Sequence, residues 1–198
     1  MDVADLEPEP MHQVSTWLDA ARAAGEPMPE AMAVATATAD GVPSVRMLIL
    51  RGTEGGITFF TDADSDKGAD LSSNPRAAVV LHWLLPVHRQ VRVTGAVERT
   101  GEAEADDYWR ARPHHVRLSA AALRQDSVVP DRAALQAAFG ELRARYPEGT
   151  HVPRPQRWCG FRVVAERVEL WEEAPDALHD RFLYHQDGGG WVRERLAP

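Results

Sequence analysis

Apolar and polar residues along this chain follow two periods, and the changes between them mark out its elements. Over 11–25, MHQVSTWLDAARAAG, the residues Val14, Trp17, Leu18 and Ala21 recur at the three- and four-residue spacing of one helical face. Gly25 stands where such a helix would stop. The run AMAVATATADGVPSVRMLILRG reads as two β segments around Asp40-Gly41, a dipeptide suited to a tight hairpin. A turn at Glu54, Gly55 and Gly56 leads into ITFFT over 57–61. SDKGADLSSNP then offers Ser65 as a helix cap and ends at Asn74-Pro75, which predicts one short helix.

RAAVVLHWL, residues 76–84, has the unbroken apolar character of a buried strand, whereas RQVRVTGAVERTG alternates. Gln90, Arg92 and Thr94 share one face there, and Val91, Val93 and Val97 the other. From Glu102 to Tyr146 the pattern is helical, with interruptions near Pro113 and Pro130. GFRVVAERVELWEE, DRFLYHQ and WVRERL predict three more strands, with the last turn at Asp187 to Gly190. Six or seven strands with helices before, between and late predict a mainly β, antiparallel barrel with helical additions. No strand leads into G-x-G-x-x-G and no G-x-x-x-x-G-K-[ST] occurs, so a parallel α/β nucleotide fold is disfavoured. One domain is expected over 1–198, with the acidic residues 1–10 disordered ahead of it.

Composition narrows the chemistry. With 198 residues and 44% hydrophobic content, the chain can bury a sizeable core as one domain or one subunit of an obligate oligomer. It contains no apolar run long enough for a membrane span, and its acidic start lacks a secretory pattern, so the cytoplasm is the expected location. A formal net charge of -8 argues against broad nucleic-acid binding, which needs a continuous basic face. Of its 22 basic residues only Lys67 is a lysine. One cysteine, Cys159, and eight scattered histidines form no zinc spacing, so no metal is expected. G-x-S-x-G is absent too, which leaves nucleophilic catalysis unsupported.

What remains is a set of polar side chains on strands that otherwise read as core: Arg46, Thr61, Gln90 and Arg181. Each must reach solvent or bind something, because a buried unpaired polar group is costly. Near the end, LWEEAPDALHDRFLY gathers Trp171, His179 and Arg181 in one loop-and-strand unit. Trp83, Trp109, Trp158, Cys159, His82 and His88 read as packing or surface residues.

From about residue 12 to Pro198, the segments SVRMLILRG, FFTDADSDKGADLSSNP, RQVRVTGAVER, YWRARP, WCGFRV, ELWEE, LHDRFLY and RLAP occur in an order that resembles the pyridoxine/pyridoxamine 5'-phosphate oxidase family. The resemblance implies an antiparallel FMN-binding split β-barrel that works as a homodimer, with flavin held between the subunits. It implies that the strand Arg46, Met47, Leu48, Ile49, Leu50 and Arg51 lies along the flavin, with Phe60 and Thr61 beside it. Asp66 and Lys67 then stand at the FMN phosphate, and Gln90, Gln125, Asp126, Trp171 and Arg181 complete the cofactor site. Arg51, Tyr108, Arg112, Val116, Ala177 and His179 face the substrate, with His179 the catalytic candidate. The implied reaction oxidises pyridoxamine or pyridoxine 5'-phosphate to pyridoxal 5'-phosphate, with dioxygen as acceptor. Flavin would carry that chemistry, which accounts for the missing nucleophile.

Several positions depart from the family pattern. Asp66 replaces an arginine at the FMN phosphate and Asp126 a serine after Gln125, while arginine stands for lysine at Arg51. Val116 replaces a serine and Ala177 an arginine on the substrate side, and DLEPEP replaces a basic N-terminal arm. A carboxylate about 4 Å from a phosphate costs on the order of 4 kcal/mol at an effective dielectric near 20. Two alternatives therefore stay open: a flavin oxidase of a phenazine-type secondary-metabolite intermediate, and a non-catalytic flavin-binding split barrel.

Overall fold

Alternation decides how the first strands lie. In the computed structural model, which describes residues 1–198, β1 (Ala31–Ala37) turns Met32, Val34 and Thr36 into the core and leaves Ala31, Ala33 and Ala35 on the opposite face. It pairs antiparallel with β2 (Pro43–Ile49) through the expected hairpin. β3 (Ile57–Asp62), α2 (Asp66–Ser73), β4 (Arg76–Trp83) and β5 (Arg89–Arg99) follow. Three helices, α3 (Glu102–Ala111), α4 (His114–Ala122) and α5 (Arg132–Arg145), separate these from β6 (Trp158–Glu172), β7 (Asp180–Asp187) and β8 (Gly190–Arg195). The first helix, α1 (Pro10–Ala23), buries Val14, Trp17, Leu18 and Ala21 as its pattern requires.

All strand pairs are antiparallel, in the order β2-β1-β4-β5-β6-β7-β8, with β3 attached to β6 off this path. The sheet therefore branches at β6. Its first part, Trp158–Val163, lies between β3 and β5, and its later part, Arg167–Glu172, lies between β7 and β5. The register breaks between Thr94 and Gly95 at this changeover. A side chain on Gly95 would run into the carbonyl oxygen of Val164, so only glycine lets the two strands pass. The molecule is mainly β with helical additions, as expected, but it has eight strands rather than six or seven. Hydrophobic patterning does not reveal that one 15-residue strand serves two neighbours along the same edge.

The main core lies between α1 and the inner sheet face, and Trp83 closes one end by donating its indole N–H to the Pro29 carbonyl at 2.7 Å. A smaller cluster of Trp109, Leu118 and Val152 holds the inserted helices, with Trp109 donating to the Val152 carbonyl at 2.8 Å. Cys159 is buried, and that burial pushes its thiol pKa up.

The first ten residues correct an expectation: they are an ordered strap rather than a disordered lead. Leu6 enters the main core, the Tyr184 hydroxyl donates to the Glu7 carbonyl at 2.8 Å, and Arg193 donates to the Leu6 carbonyl at 2.6 Å. The terminal amine pairs with Asp180 at 3.0 Å, and Asp2 pairs with Arg195 at 3.3 Å. Acidic composition suggested solvent, but the last strand supplies Arg195 to Asp2 and Arg193 to the Leu6 backbone. No helix is long and apolar enough to cross a membrane.

Candidate functional site

The sequence-predicted residues fall into three groups. The first surrounds the start of α2, where the Ser65 hydroxyl accepts the Gly68 N–H and fixes the helix end. This cap points Lys67 inward, so that it is only 3% exposed, with its ammonium 3.1 Å from the Ser65 hydroxyl and 3.7 Å from the Asp126 carboxylate. Burial pulls the Lys67 pKa below its ordinary value; Asp126 opposes that shift, and the positive charge of Arg46 adds to it. Arg46 lies on the inner face of β2, donating to the Thr36 hydroxyl at 2.8 Å and the Ser44 hydroxyl at 2.7 Å, with Asp70 4.0 Å away. The Thr61 hydroxyl donates to the Gln125 side-chain oxygen at 3.1 Å, which ties β3 to the α4–α5 loop. Asp66 itself is exposed, but its backbone N–H donates to Asp126 at 3.0 Å.

The second group lies where β3 meets α3 and α4. Phe60 stacks on Tyr108 with ring centroids 4.2 Å apart and 15° between planes. Gly160, paired with Phe60 across the ladder, makes this possible, because a β-carbon there would come within 2.7 Å of the Phe60 ring. The Arg51 guanidinium sits 5.3 Å from the centre of the Tyr108 ring, and that of Arg112 sits 4.2 Å from the centre of the Trp158 ring. Neither arginine has a carboxylate within 4.0 Å, and Nη1 of Arg112 is buried with no partner. Burial lowers the Arg112 pKa, Tyr108 opposes that, and Arg51 adds to it. Arg112 and Val116 line a cavity of about 450 Å³ together with Gln125, Asp126 and Trp158, so the first two groups open onto common space.

The third group is on the outer face of the sheet. Strand register sets His82, Gln90, Trp171 and Arg181 side by side across β4, β5, β6 and β7. Arg181 is held by Glu169 at 2.8 Å and by the Ala197 carbonyl at 2.9 Å, which explains why the terminal RLAP belongs with this strand. His179 packs on Trp171 at 4.9 Å, and its Nδ1 accepts the Ala174 N–H at 3.2 Å. That bond leaves the proton of the neutral ring on Nε2. Ala177, in the loop just before, is exposed and has a left-handed φ of 62°. Within one chain this group does not meet Arg46 and Lys67. Val34 opposite Arg46 faces the core, whereas Gln90 and Trp171 alternate with the buried Val91 and Leu170 and face away from it.

Of the predicted β2 segment, Met47 and Ile49 lie on the outer face, whereas Leu50 is buried in the core. Arg157 and Glu169 have clear structural work and were not singled out from sequence, and His82 and His88, read there as packing or surface residues, belong with the third group. Arg157 bonds Asp62 at 2.8 Å and three carbonyls at the end of α4, so it fixes the loop that carries Gln125 and Asp126. His82 and His88 join Nε2 to Nε2 at 2.6 Å, and His88 packs edge-on against Trp171. Glu169, in RVELW, was the most legible, being a carboxylate inside an otherwise buried strand.

This arrangement can be compared with known proteins. A family model described as pyridoxamine 5'-phosphate oxidase matches residues 18–146, and one described as the pyridoxine 5'-phosphate oxidase C-terminal dimerisation region matches 158–198. The chain belongs to the pyridoxamine 5'-phosphate oxidase family. Family membership makes it an oxidoreductase of the pyridoxamine phosphate oxidase type. A relative from Ralstonia nicotianae, named pyridoxine/pyridoxamine 5'-phosphate oxidase 1, is 46% identical over 200 residues, covering 100% of this chain and 93% of that protein. One from Bordetella petrii, named pyridoxine/pyridoxamine 5'-phosphate oxidase, is 46% identical over 191 residues, covering 96% and 89%. Among solved structures, PhzG from Burkholderia lata 383, in complex with tetrahydrophenazine-1-carboxylic acid, superposes with a TM-score of 0.93 at 32% identity, covering 99% of this chain and 96% of that one.

Proposed function

We propose that the chain is an FMN-dependent oxidase that converts pyridoxamine or pyridoxine 5'-phosphate to pyridoxal 5'-phosphate, with dioxygen as acceptor. The observation that carries this reading is Arg112: a guanidinium with a buried, unpartnered Nη1, beside a second unpaired arginine, Arg51, and against stacked aromatic rings. Two free guanidiniums suit a phosphate dianion, and the flat Phe60–Tyr108 stack suits the ring that bears it.

The residues around α2 fit the phosphate end of FMN. Lys67 and Arg46 supply charge and the first turn of α2 supplies a backbone N–H. Bound flavin would supply a two-electron acceptor. The chain's own residues have simpler tasks: Arg51 and Arg112 hold the substrate phosphate, Tyr108 limits how its ring lies, and Nε2–H of His179 donates to a polar substituent.

Gln90, Trp171, His179 and Arg181 reach this site from a second copy of the chain. Support comes from the outer face of β1, β2 and β4, where Val45 and Met47 are 67% and 64% exposed and Ala31, Ala33, Ala35, Ala78 and Val80 continue the apolar surface. A surface of that kind is rare on a monomer, and the matched dimerisation region agrees with it.

A second reading has its own support. Val116 lacks a hydroxyl beside Arg112, and Ala177 lacks a cationic side chain next to His179, so a substrate without phosphate, of the phenazine type, fits the same cavity. Titration of stripped protein with FMN, followed by peroxide release on pyridoxamine 5'-phosphate, separates the readings. Turnover that rises in Ala177→Arg supports the first, and bound flavin without vitamin turnover supports the second. Failure to take up FMN at all overturns both.

A further inference from the structure

The anion seat at the start of α2 already holds a carboxylate of the chain. Asp126 is one of only two non-glycine residues with positive φ, at 65°, a conformation that side chains adopt reluctantly. This turn directs its carboxylate onto the Asp66 N–H at 3.0 Å and to 3.7 Å from the ammonium of Lys67, a side chain that is itself 3% exposed. The loop is not free to drift away. Arg157 donates to the Leu123 carbonyl at 3.1 Å, and Thr61 holds Gln125 at 3.1 Å.

We propose that Asp126 is an internal stand-in for the cofactor phosphate, so that loading of a phosphorylated flavin exchanges a carboxylate for a phosphate on the same ammonium and the same backbone N–H. The proposal rests on the flavin reading above and deepens it, making Asp126 the residue that sets how strongly this chain prefers FMN to riboflavin. A ligand carrying a dianion must displace or sit beside Asp126, whereas a ligand ending in a hydroxyl need not. Asp66, Asp62 and Asp64 add negative charge around the seat, and Lys67, Arg46, Arg157 and Arg124 oppose it. Preference for the phosphorylated form is accordingly weaker here than in a chain with a hydroxyl at 126.

The test uses flavin-stripped full-length protein as wild type, Asp126→Ser and Asp126→Asn, the last because asparagine tolerates a left-handed backbone. Quenching of flavin fluorescence gives the affinity for FMN and for riboflavin. Both variants should bind FMN about tenfold more tightly or better, with riboflavin changed less than about threefold. FMN affinity that is unchanged or weaker in both variants overturns the proposal while leaving the flavin reading intact. A second measurement follows thermal unfolding of the stripped proteins in inorganic phosphate against chloride at matched ionic strength. Stabilisation by phosphate in the variants but not the wild type supports the proposal even if no form takes up flavin, an outcome that would sink only the functional reading. No flavin uptake together with no phosphate effect overturns the proposal too.

Discussion

Replacing Arg157 by leucine tests whether one arginine holds the site loop to the sheet. Its Nε donates to Asp62 at 2.8 Å, and its Nη2 reaches the carbonyls of Ala120, Ala121 and Leu123 at 3.0, 3.2 and 3.1 Å. Those carbonyls lie at the end of α4, where the helix has no bonding partners of its own. The Asp62 side chain is 5% exposed and that of Arg157 20%, so the pair is poorly solvated. Removing one partner of such a pair costs about 3–5 kcal/mol, mostly because the other charge is left buried. Asp62 would keep the Asp64 N–H at 2.9 Å, which favours the lower end, about 3 kcal/mol. For a chain of this size that is a fall in Tm of about 6–12 °C.

Urea unfolding followed by tryptophan fluorescence, at one fixed protomer concentration, measures the loss. The internal control is Arg76→Leu, which breaks a pair whose side chains are 57% and 45% exposed and should cost under about 1 kcal/mol. Adding Asp62→Asn to Arg157→Leu should recover part of the stability, since it removes the stranded charge. Riboflavin affinity should fall in Arg157→Leu, because Gln125 loses its anchor. A cost for Arg157→Leu no larger than for Arg76→Leu would refute the reasoning.

Burial pushes the Tyr184 phenol up to about 12 from its ordinary value of 10.0, so its contribution is complete below pH 10 and is lost as pH rises toward 12, about 2–3 kcal/mol in all. Tyr184→Phe should lack that alkaline fall and cost about 1 kcal/mol at neutral pH for the bond to Glu7; an unchanged alkaline profile in urea unfolding refutes this. Lys67→Gln should weaken FMN binding about tenfold to a hundredfold and spare riboflavin. Equal losses for both ligands would exclude a phosphate contact at Lys67. Gly160→Val should force Phe60 off Tyr108 at a cost of about 1–3 kcal/mol, seen as a changed near-ultraviolet circular dichroism band, and an unaltered band would count against the stack.

Local patterns carried most of the fold. Every strand and helix named from periodicity is present, because each period reports which side of an element meets the core, and Ser65 caps α2 as its position suggested. The branching of the sheet at β6 was not legible, since it depends on which strands neighbour a long one, and side-chain alternation is the same for either partner. The N-terminal strap was misjudged for a related reason. Asp2 and the Leu6 carbonyl find partners 180 or more positions away, in Arg195 and Arg193, and composition within a window has no access to those. Arg157 was missed because PQRW gives no local sign of what its guanidinium bonds; its role appears only once α4 ends above it.

The distribution of polar residues over the two sheet faces is the physical ground for the proposed site shared between two copies. Arg46 and Lys67 belong to the inner side and the start of α2, whereas Gln90, Trp171 and Arg181 form a row on the outer side, with Glu169 already neutralising Arg181. No side-chain rotation moves a residue through a packed sheet, so one protomer cannot close these groups around one ligand. A two-fold axis through the alanine-rich outer face would let the row on one protomer cover the cradle on the other, and each copy would complete two sites at once. Alanine suits that task. Short side chains at Ala31, Ala33 and Ala35 let two sheets approach closely, whereas larger residues there would hold the flanking polar groups apart. In the proposed dimer, the same small surface that leaves the isolated protomer with uncovered apolar area would be what lets the site assemble from both faces.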